Sequence, residues 1–300
     1  MRAQDMVRLI ALAAIWGASF LFMRMVVGPL GPMTTACSRV AIAGAVLCAW
    51  FRIAGVRVEW RAHWKHYAVI GIVNSAIPFS LYAFAAQHIP SSYSAIINAT
   101  APVWGMVVSA VVLSTRPEWW NVVGAMCGVC GVGLVAWKGP AELGGHGVLA
   151  GCACAGAALC YAIAGIYMKK RASHLKPIAV AGASQVIAGA VLVPGVVAWP
   201  PTGPLTPQVI GAALALALVC SAAAYMLYYR LIADCGPTRA LTVTYLIPVF
   251  GVIWGVVFLG ERVTPEMMGG CGLVVVGTML VIRKPKPGVT APDARAADGA

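Results

Sequence analysis

Long apolar segments recur along the whole chain, and short polar connections separate them. Ten can be marked, each close to the ~20 residues that an α-helix needs to cross a bilayer: 6–27, 32–53, 64–86, 91–114, 119–137, 147–168, 177–198, 207–233, 238–260 and 265–282. Proline stands at or beside the start of six segments, where its missing backbone N–H costs least: Pro32, Pro90, Pro177, Pro207, Pro237 and Pro265. The pattern predicts an all-α integral membrane protein with ten transmembrane helices.

The composition places most of the chain in lipid. Of its 300 residues, 61% are hydrophobic and 10% are charged, whereas soluble domains carry about 25% charged residues. The net charge of +12 does not indicate a nucleic-acid partner, because no basic stripe interleaves with aromatic residues on a soluble face. We expect the lipid bilayer to surround the chain, and the first segment to be retained rather than cleaved as a signal peptide.

The positions of the basic residues predict the orientation. If ten segments alternate in direction, 17 of the 21 lysines and arginines fall on one side, and only Arg24, Lys138 and Arg262 fall on the other. Because cytoplasmic connections are enriched in basic residues, we expect both termini in the cytoplasm and a multi-pass protein of the bacterial inner membrane. The polar tail, residues 284–300, is expected to be disordered.

The sequence indicates neither a metal site nor a cofactor. Nine of the ten cysteines lie inside apolar segments, whereas a disulfide framework would place them in polar connections. Cys127 and Cys130 form a CxxC without an accompanying histidine or second CxxC. No HExxH and no GxxxxGK[ST] occurs, so neither a membrane metalloprotease nor an ATP-driven pump is expected. We predict that the protein is not an enzyme.

The chain contains an internal repeat. With a shift of 146 residues, Pro102 aligns with Pro248, Gly105 with Gly251, and Arg116 with Arg262; further along, Gly124 aligns with Gly270 and Gly131 with Gly277. The predicted units are residues 1–139, residues 140–283 and the tail 284–300. Each repeat holds five segments, and because five is odd, the second repeat enters the membrane from the opposite side. Inverted repeats are typical of secondary transporters, whose substrate site lies between the halves.

Four stretches carry a family resemblance: AAIWGASF, SRVAIAGA, AIPFSLYAFAAQHIPSSYSAIINATAPVWG and YLIPVFGVIWGVVFLGER. On these stretches the chain resembles the EamA family of the drug/metabolite transporter superfamily over residues 6–283. The resemblance implies ten helices in an inverted repeat, a cavity lined by segments 1, 3, 4, 6, 8 and 9, and transport of small metabolites, including amino acids, usually outward. The chain departs from this pattern at one place. The fourth segment ends in LSTR and the ninth ends in LGER, so Thr115 aligns with Glu261 in the repeat.

Polar and aromatic residues at helical spacing mark the candidate substrate site. Polar groups facing lipid are costly, so these residues are expected to face the interior. The aromatic members either grip an apolar substrate or fill the bundle, and the glycines of the same stripes favour helix packing. The candidates for substrate binding are Trp16, Ser19, Asn74, Tyr82, Asn98, Tyr161, Tyr225, Thr244 and Tyr245.

A second group is expected to act in gating or structure. Arg39 lies inside the second segment, where a cation is expensive and needs a partner; the sequence leaves open a structural role and a substrate or gating role. Its repeat counterpart is Gln185. Pro78, Pro102 and Pro248 are candidate hinges, because each frees a backbone carbonyl one turn earlier. The Asn98-Ala99-Thr100 sequon is rejected as a glycosylation site because it lies within a segment.

These features predict a secondary transporter, either a facilitator or an exporter, that moves small metabolites by alternating access. No acidic residue lies in the middle of a segment, so the proton-coupled drug exporter is the less favoured alternative. A lipid-carrier flippase of the same superfamily is the stronger one. The glycine-rich fifth and tenth segments are compatible with either a monomer or a homodimer.

Overall fold

The structure, a computed structural model, describes residues 2–137 and 145–282, and this part of the chain is all-helical. Seven of its helices are long and apolar enough to cross a membrane, and two shorter apolar helices span Trp119–Val135 and Val243–Leu259. The predicted boundary at 139/140, Lys138 and the tail lie outside the described residues. The helices are α1 (Ala3–Ile53), α2 (Trp60–His88), α3 (Ser91–Leu113), α4 (Trp119–Trp137), α5 (Gly145–Arg171), α6 (Pro177–Ala198), α7 (Pro207–Cys235), α8 (Val243–Leu259, after a short turn of helix Pro237–Ala240) and α9 (Pro265–Ile282).

Helix α1 is divided at Gly31. This residue has φ 71° and ψ 165° inside an otherwise helical run, a conformation that only glycine adopts without strain. Pro29 and Pro32 flank it and remove two backbone donors from the helix. The chain therefore changes direction between the first two predicted segments without a connecting loop. We call residues 3–30 the first arm of α1 and residues 32–53 its second arm.

Three further helices carry local irregularities. The middle of α2 is π-helical over Ile72–Ala76, and Pro78 explains this because it cannot donate to the carbonyl of Asn74. Helix α7 is π-helical over Ala215–Ala223, the corresponding part of the second repeat. Helix α3 is interrupted between Asn98 and Ala101.

The two helices that carry Pro102 and Pro248 are not interrupted at corresponding places. Pro102 lies in the first turn of the second piece of α3, where no N–H is needed. Pro248 lies inside α8, and the interruption there precedes Val243. The repeat aligns Pro102 with Pro248, but the two breaks differ in position by about one turn.

Paired glycines allow one helix of each repeat to approach the other closely. A Cβ on Gly124 would lie 2.6 Å from the carbonyl oxygen of Gly277, and a Cβ on Gly131 would lie 2.7 Å from that of Gly270. The repeat shift exchanges these two contacts, so α4 and α9 approach each other as equivalent partners. These four glycines are buried in the contact between the two helices. The choice between a monomer and a homodimer stays a prediction.

The helix ends gather at two opposite faces. At one face, Lys170 donates to the carbonyl oxygen of Val112 (3.2 Å), and the Asn121 amide donates to that of Val281 (3.0 Å). At the other, Gly203 N–H donates to the carbonyl oxygen of Pro29 (3.0 Å). This grouping agrees with segments that alternate in direction.

Candidate substrate cavity

A cavity of about 870 Å³ lies between the two repeats. Its volume is in the range of small-molecule sites, which are mostly apolar with a few placed polar groups. At one end it is lined by the exposed residues Thr115–Glu118 and by Val281 and Ile282 at the end of α9. We call this end the open face. At its inner end the lining residues Met23 and Tyr82 are almost completely buried.

Two related aromatic pairs form the cavity wall. The rings of Trp16 and Tyr228 have centroids 5.2 Å apart, and those of Tyr161 and Tyr82 are 6.2 Å apart. Trp16 and Tyr161 are counterparts at a shift of 145 residues, and Tyr82 and Tyr228 are counterparts at 146. Each pair joins one repeat to the other, so both halves contribute equivalent surfaces to one site.

The interruption of α3 brings an amide to this wall. Asn98 ends the first piece of the helix, and its Oδ1 accepts a hydrogen bond from the Tyr82 hydroxyl (2.8 Å). Among the described residues its amide nitrogen has no acceptor, so its two N–H donors can serve a ligand or water. The counterpart of Asn98 is Thr244, which lines the cavity while its hydroxyl bonds the carbonyl oxygen of Leu241 (2.8 Å).

The structure brings most of the candidate residues together. The cavity lining includes eight of the nine substrate-binding candidates; Tyr245 does not line it. Among the gating or structural candidates, Arg39 and Pro102 line the cavity, whereas Pro78, Gln185 and Pro248 do not. The eight are Trp16, Ser19, Asn74, Tyr82, Asn98, Tyr161, Tyr225 and Thr244.

The lining is broader than the resemblance implied. Residues outside the six expected segments also line the cavity. The seventh segment, which is α6, contributes Val180, Ala181 and Ser184, and the second segment, which is the second arm of α1, contributes Arg39. The substrate-binding candidates leave out four aromatic members of the lining: Phe20, Phe79, Tyr228 and Tyr229. For Phe79 and Tyr228 the repeat gives a signal, because their counterparts at a shift of 146 residues, Tyr225 and Tyr82, line the same cavity.

Arg39 is 6% exposed and reaches the cavity from the second arm of α1. Its Nε donates a hydrogen bond to the Ser221 hydroxyl (2.9 Å), and its guanidinium carbon lies 3.9 Å from the centre of the Phe79 ring. The Ser221 hydroxyl in turn donates to the carbonyl oxygen of Leu216 (3.1 Å) within the π-helical part of α7. Arg39 thus joins α1 to the irregular turn of α7.

The other repeat holds the corresponding group without a charge. Gln185 Nε2 donates to the Ser75 hydroxyl (3.0 Å) and to the Tyr225 hydroxyl (3.3 Å). At a shift of 146 residues, Arg39 corresponds to Gln185, Ser75 to Ser221, and Phe79 to Tyr225. Each group links a polar residue of one repeat to a π-helical serine of the other.

A carboxylate closes the face opposite the opening. Gly260 adopts φ 65° and ends α8, so the chain turns and directs Glu261 towards the start of α3. There the Glu261 carboxylate accepts hydrogen bonds from the N–H groups of Ser91 (2.6 Å) and Ser92 (3.1 Å) and from the Ser92 hydroxyl (2.5 Å). The first N–H groups of a helix lack intrahelical acceptors and favour a negative charge. We call this arrangement the Glu261 latch and its side of the protein the closed face.

The open face has the same backbone turn without the carboxylate. Ser114 ends α3 with φ 52°, the counterpart of Gly260 in the left-handed conformation. The next residue, Thr115, is exposed and lines the cavity. Thr115 therefore has no carboxylate to offer where Glu261 supplies one at the closed face.

Replacing Tyr82 with Phe is expected to weaken substrate binding by roughly 3- to 10-fold, because the Asn98 amide loses the hydrogen bond that orients it. The measurement is the Michaelis constant for transport. Tyr245→Phe is the control, since it removes a phenol that does not line the cavity. Equal constants for Tyr82→Phe and the unmodified protein would exclude this positioning role.

The comparison with known proteins identifies the family of the chain. The chain matches the EamA-like transporter family over residues 6–137 and again over 148–283. It belongs to the EamA-like transporter family. The two matches correspond to the two repeats, and the protein is a multi-pass membrane transporter rather than an enzyme.

Similar proteins span nearly the full chain. The uncharacterized transporter YvbV of Bacillus subtilis is 25% identical over 92% of this chain and 90% of its own length. An uncharacterized transporter of Archaeoglobus fulgidus is 26% identical over 90% of this chain and 95% of its own length. A solved crystal structure has a TM-score of 0.66 at 17% identity and covers 94% of this chain and 98% of the other. This last likeness concerns the fold.

Proposed function

We propose that this EamA-family protein is a secondary transporter that moves small metabolites, such as amino acids or related compounds, by alternating access. The observation that carries the proposal is a cavity that both repeats line with equivalent residues and whose exposed end, in the part of the chain that the structure describes, lies at the open face. A latch made by Glu261 joins the repeats at the other face. Alternating access requires such a site with two separately closed ends.

The proposed topology has ten crossings in two inverted sets of five. Gly31 divides α1 into two arms that correspond to the first two segments, and the other eight helices supply one crossing each. Equivalent contacts that exchange under the repeat shift, such as Gly124 with Gly277 and Gly131 with Gly270, support a two-fold relation between the sets.

The open face is proposed to be cytoplasmic. Arg116 lies at the cavity opening, and Lys170 lies beside it through its contact with Val112. Both belong to the 17 basic residues that the sequence groups on one side, and basic residues concentrate at the cytoplasmic surface. In a bacterial inner membrane, this conformation receives substrate from the cell interior, as an exporter or facilitator requires.

The substrate gradient is the proposed driving force. Among the described residues that line the cavity, Glu118 is the only carboxylate, and it is exposed at the open face. Glu261 is engaged by α3 instead of facing the cavity. Coupling to protons typically uses an ionisable group inside the membrane, so the cavity wall favours a facilitator.

Counterflow tests the proposal. Purified protein in liposomes preloaded with an unlabelled compound is expected to accumulate the labelled compound transiently, for at least one member of a panel of amino acids and related metabolites. Flux that rises with concentration without saturation and shows no counterflow would indicate a channel. Movement of labelled polyprenyl lipids without any metabolite would favour the flippase, and proton movement in fixed ratio to substrate would favour the proton-coupled exporter.

A further inference from the structure

Arg39 is a buried cation that faces the cavity with part of its guanidinium group free. Nε bonds Ser221, and Phe79 covers one face of the group. Among the described residues, the two terminal nitrogens contact no carboxylate and take no hydrogen-bond acceptor, while the side chain forms part of the cavity lining. A cation inside the membrane normally has a partner. The free edge of the guanidinium therefore faces the space that a substrate would occupy.

The second repeat shows that the structural task at this position needs no charge. Gln185 forms the corresponding hydrogen bond to Ser75, at 3.0 Å against 2.9 Å for Arg39 and Ser221. A neutral amide thus joins the two repeats by a hydrogen bond to a π-helical serine, just as the guanidinium does in the other group. Gln185 is absent from the cavity lining, whereas Arg39 is present in it. The charge of Arg39 needs an explanation other than packing.

We propose that Arg39 is the anion-binding group of the cavity and that the substrate carries a carboxylate or another anionic group on an apolar, ring-sized body. The binding of an anion is inferred from the cavity alone. That the bound anion is a transported substrate rests on the transport function proposed above. A guanidinium offers two parallel N–H donors to a carboxylate, a pairing that neutral groups do not reproduce. Tyr82, Tyr161 and Tyr225 supply the surface for the apolar body.

The same geometry discriminates against cations. In a site of low dielectric constant, a positive charge near Arg39 is repelled more strongly than it would be in water. Glu118 is the only carboxylate of the described lining, and it lies at the open face, far along the cavity from the buried end. The ammonium group of a zwitterion would meet neutral oxygens, including the phenols. Simple organic cations should therefore bind poorly, and anions and zwitterions should bind well.

A series of ligands that share the same ring system and differ in charge tests this inference. Indole-3-propionate, tryptophan, indole-3-propionamide and tryptamine share the indole ring and are anionic, zwitterionic, neutral and cationic. Their affinities are measured by thermal stabilisation of the purified protein, and their transport is measured by counterflow. The anion is expected to bind roughly 10- to 100-fold more tightly than the amide, since one charged hydrogen-bonded contact is involved.

Three variants assign the preference to the charge. Arg39→Gln copies the residue of the other repeat, so the hydrogen bond to Ser221 is retained and the anion preference is expected to disappear. Arg39→Lys keeps the charge and is expected to keep part of the preference. Arg230→Gln, which neutralises an exposed arginine paired with Asp234 (3.0 Å), is the control and should leave the order of affinities unchanged.

The results separate this inference from the transport function. An unmodified protein that binds tryptamine as tightly as the anion, or that is stabilised by no carboxylate in the series, would overturn the anion site. An anion preference that survives in Arg39→Gln would also overturn it. Anion binding that depends on Arg39 without counterflow would support the site and contradict transport of these compounds. Counterflow of the amide and amine alone would contradict the site and support transport.

Discussion

Replacing Glu261 with Gln is expected to shift the protein towards a conformation open at the closed face, by roughly 10- to 100-fold in the ratio of the two states. The Glu261 carboxylate accepts three hydrogen bonds from Ser91 and Ser92. Hydrogen bonds to charged groups contribute about 1.5–3 kcal/mol each, and a Gln amide directs two donors at groups that are themselves donors. The repeats then lose a contact at this face in which one carboxylate accepts three hydrogen bonds.

Distances between spin labels on Gln87 and Val263, exposed residues near the latch on opposite repeats, measure this shift. Glu261→Gln should increase the population of the longer distance. Glu59→Gln is the matched control, because it makes the same change in charge at an exposed carboxylate that is paired with His63 on its own helix turn, away from the latch. An unchanged distance distribution in Glu261→Gln would show that the latch does not hold this face closed.

An independent change at Gly255 tests the same latch without altering charge. The carboxylate of Glu261 lies against the Cα of Gly255, where a Cβ would overlap its Oε2 atom and approach the Ser91 hydroxyl to 3.1 Å. In Gly255→Ala, the carboxylate must move away from the first turn of α3. The distance distribution should therefore change in the same direction as in Glu261→Gln.

Replacing Gly131 with Val is expected to destabilise the protein by roughly 1–3 kcal/mol or more, the usual cost of overpacking a close contact. A Cβ at this position would lie 2.7 Å from the carbonyl oxygen of Gly270 and 2.8 Å from Cγ2 of Val274. Backbone cannot move aside as a flexible side chain does. Helices α4 and α9 would have to separate, and the equivalent contact between Gly124 and Gly277 would be disturbed with them.

Thermal unfolding of the detergent-purified protein measures this effect. Gly133→Val provides the control on the same helix, because nothing lies within 4 Å of a Cβ at Gly133. Both variants add the same side chain and lose the same glycine flexibility, so the difference between them isolates the contact with α9. Equal melting temperatures for the two variants would mean that the glycine contact contributes nothing to stability.

The apolar segments could be located from the sequence because hydrophobic length determines where a helix can cross a membrane. Their internal geometry was harder to predict. Pro78 and Pro102 each lie just after an irregular turn, yet the break before Val243 has no proline signal of its own. The joining of the first two segments at Gly31 depends on a single positive φ angle, which a hydropathy pattern does not contain.

The candidate site was predicted best where the residues are polar. Asn98 and Tyr82 stood out because polar groups rarely face lipid, and the structure joins them by a hydrogen bond. Phe79 gave no such signal, since an aromatic ring in an apolar segment is equally suited to lipid. The role of Glu261 depends on the approach of α8 to α3, a long-range contact that local sequence does not specify.

The internal repeat separates the two roles that Arg39 can have. The sequence alone left a structural and a functional role open for this residue. The shift of 146 residues pairs it with Gln185, and the structure shows that both residues hold a serine of the opposite repeat. The comparison within one chain separates the hydrogen bond, which both repeats need, from the charge, which only one repeat has.

The accessibility of Ser19 from the two sides of the membrane shows which face of the cavity is open. Ser19 is 5% exposed and lines the cavity, and Ser19→Cys changes its size little. In a background without the ten native cysteines, a membrane-impermeant maleimide is expected to label this position faster in inside-out vesicles than in right-side-out vesicles. Faster labelling in right-side-out vesicles, or equal rates from both sides, would contradict a cavity that opens to the cytoplasm and is closed by Glu261 at the other face.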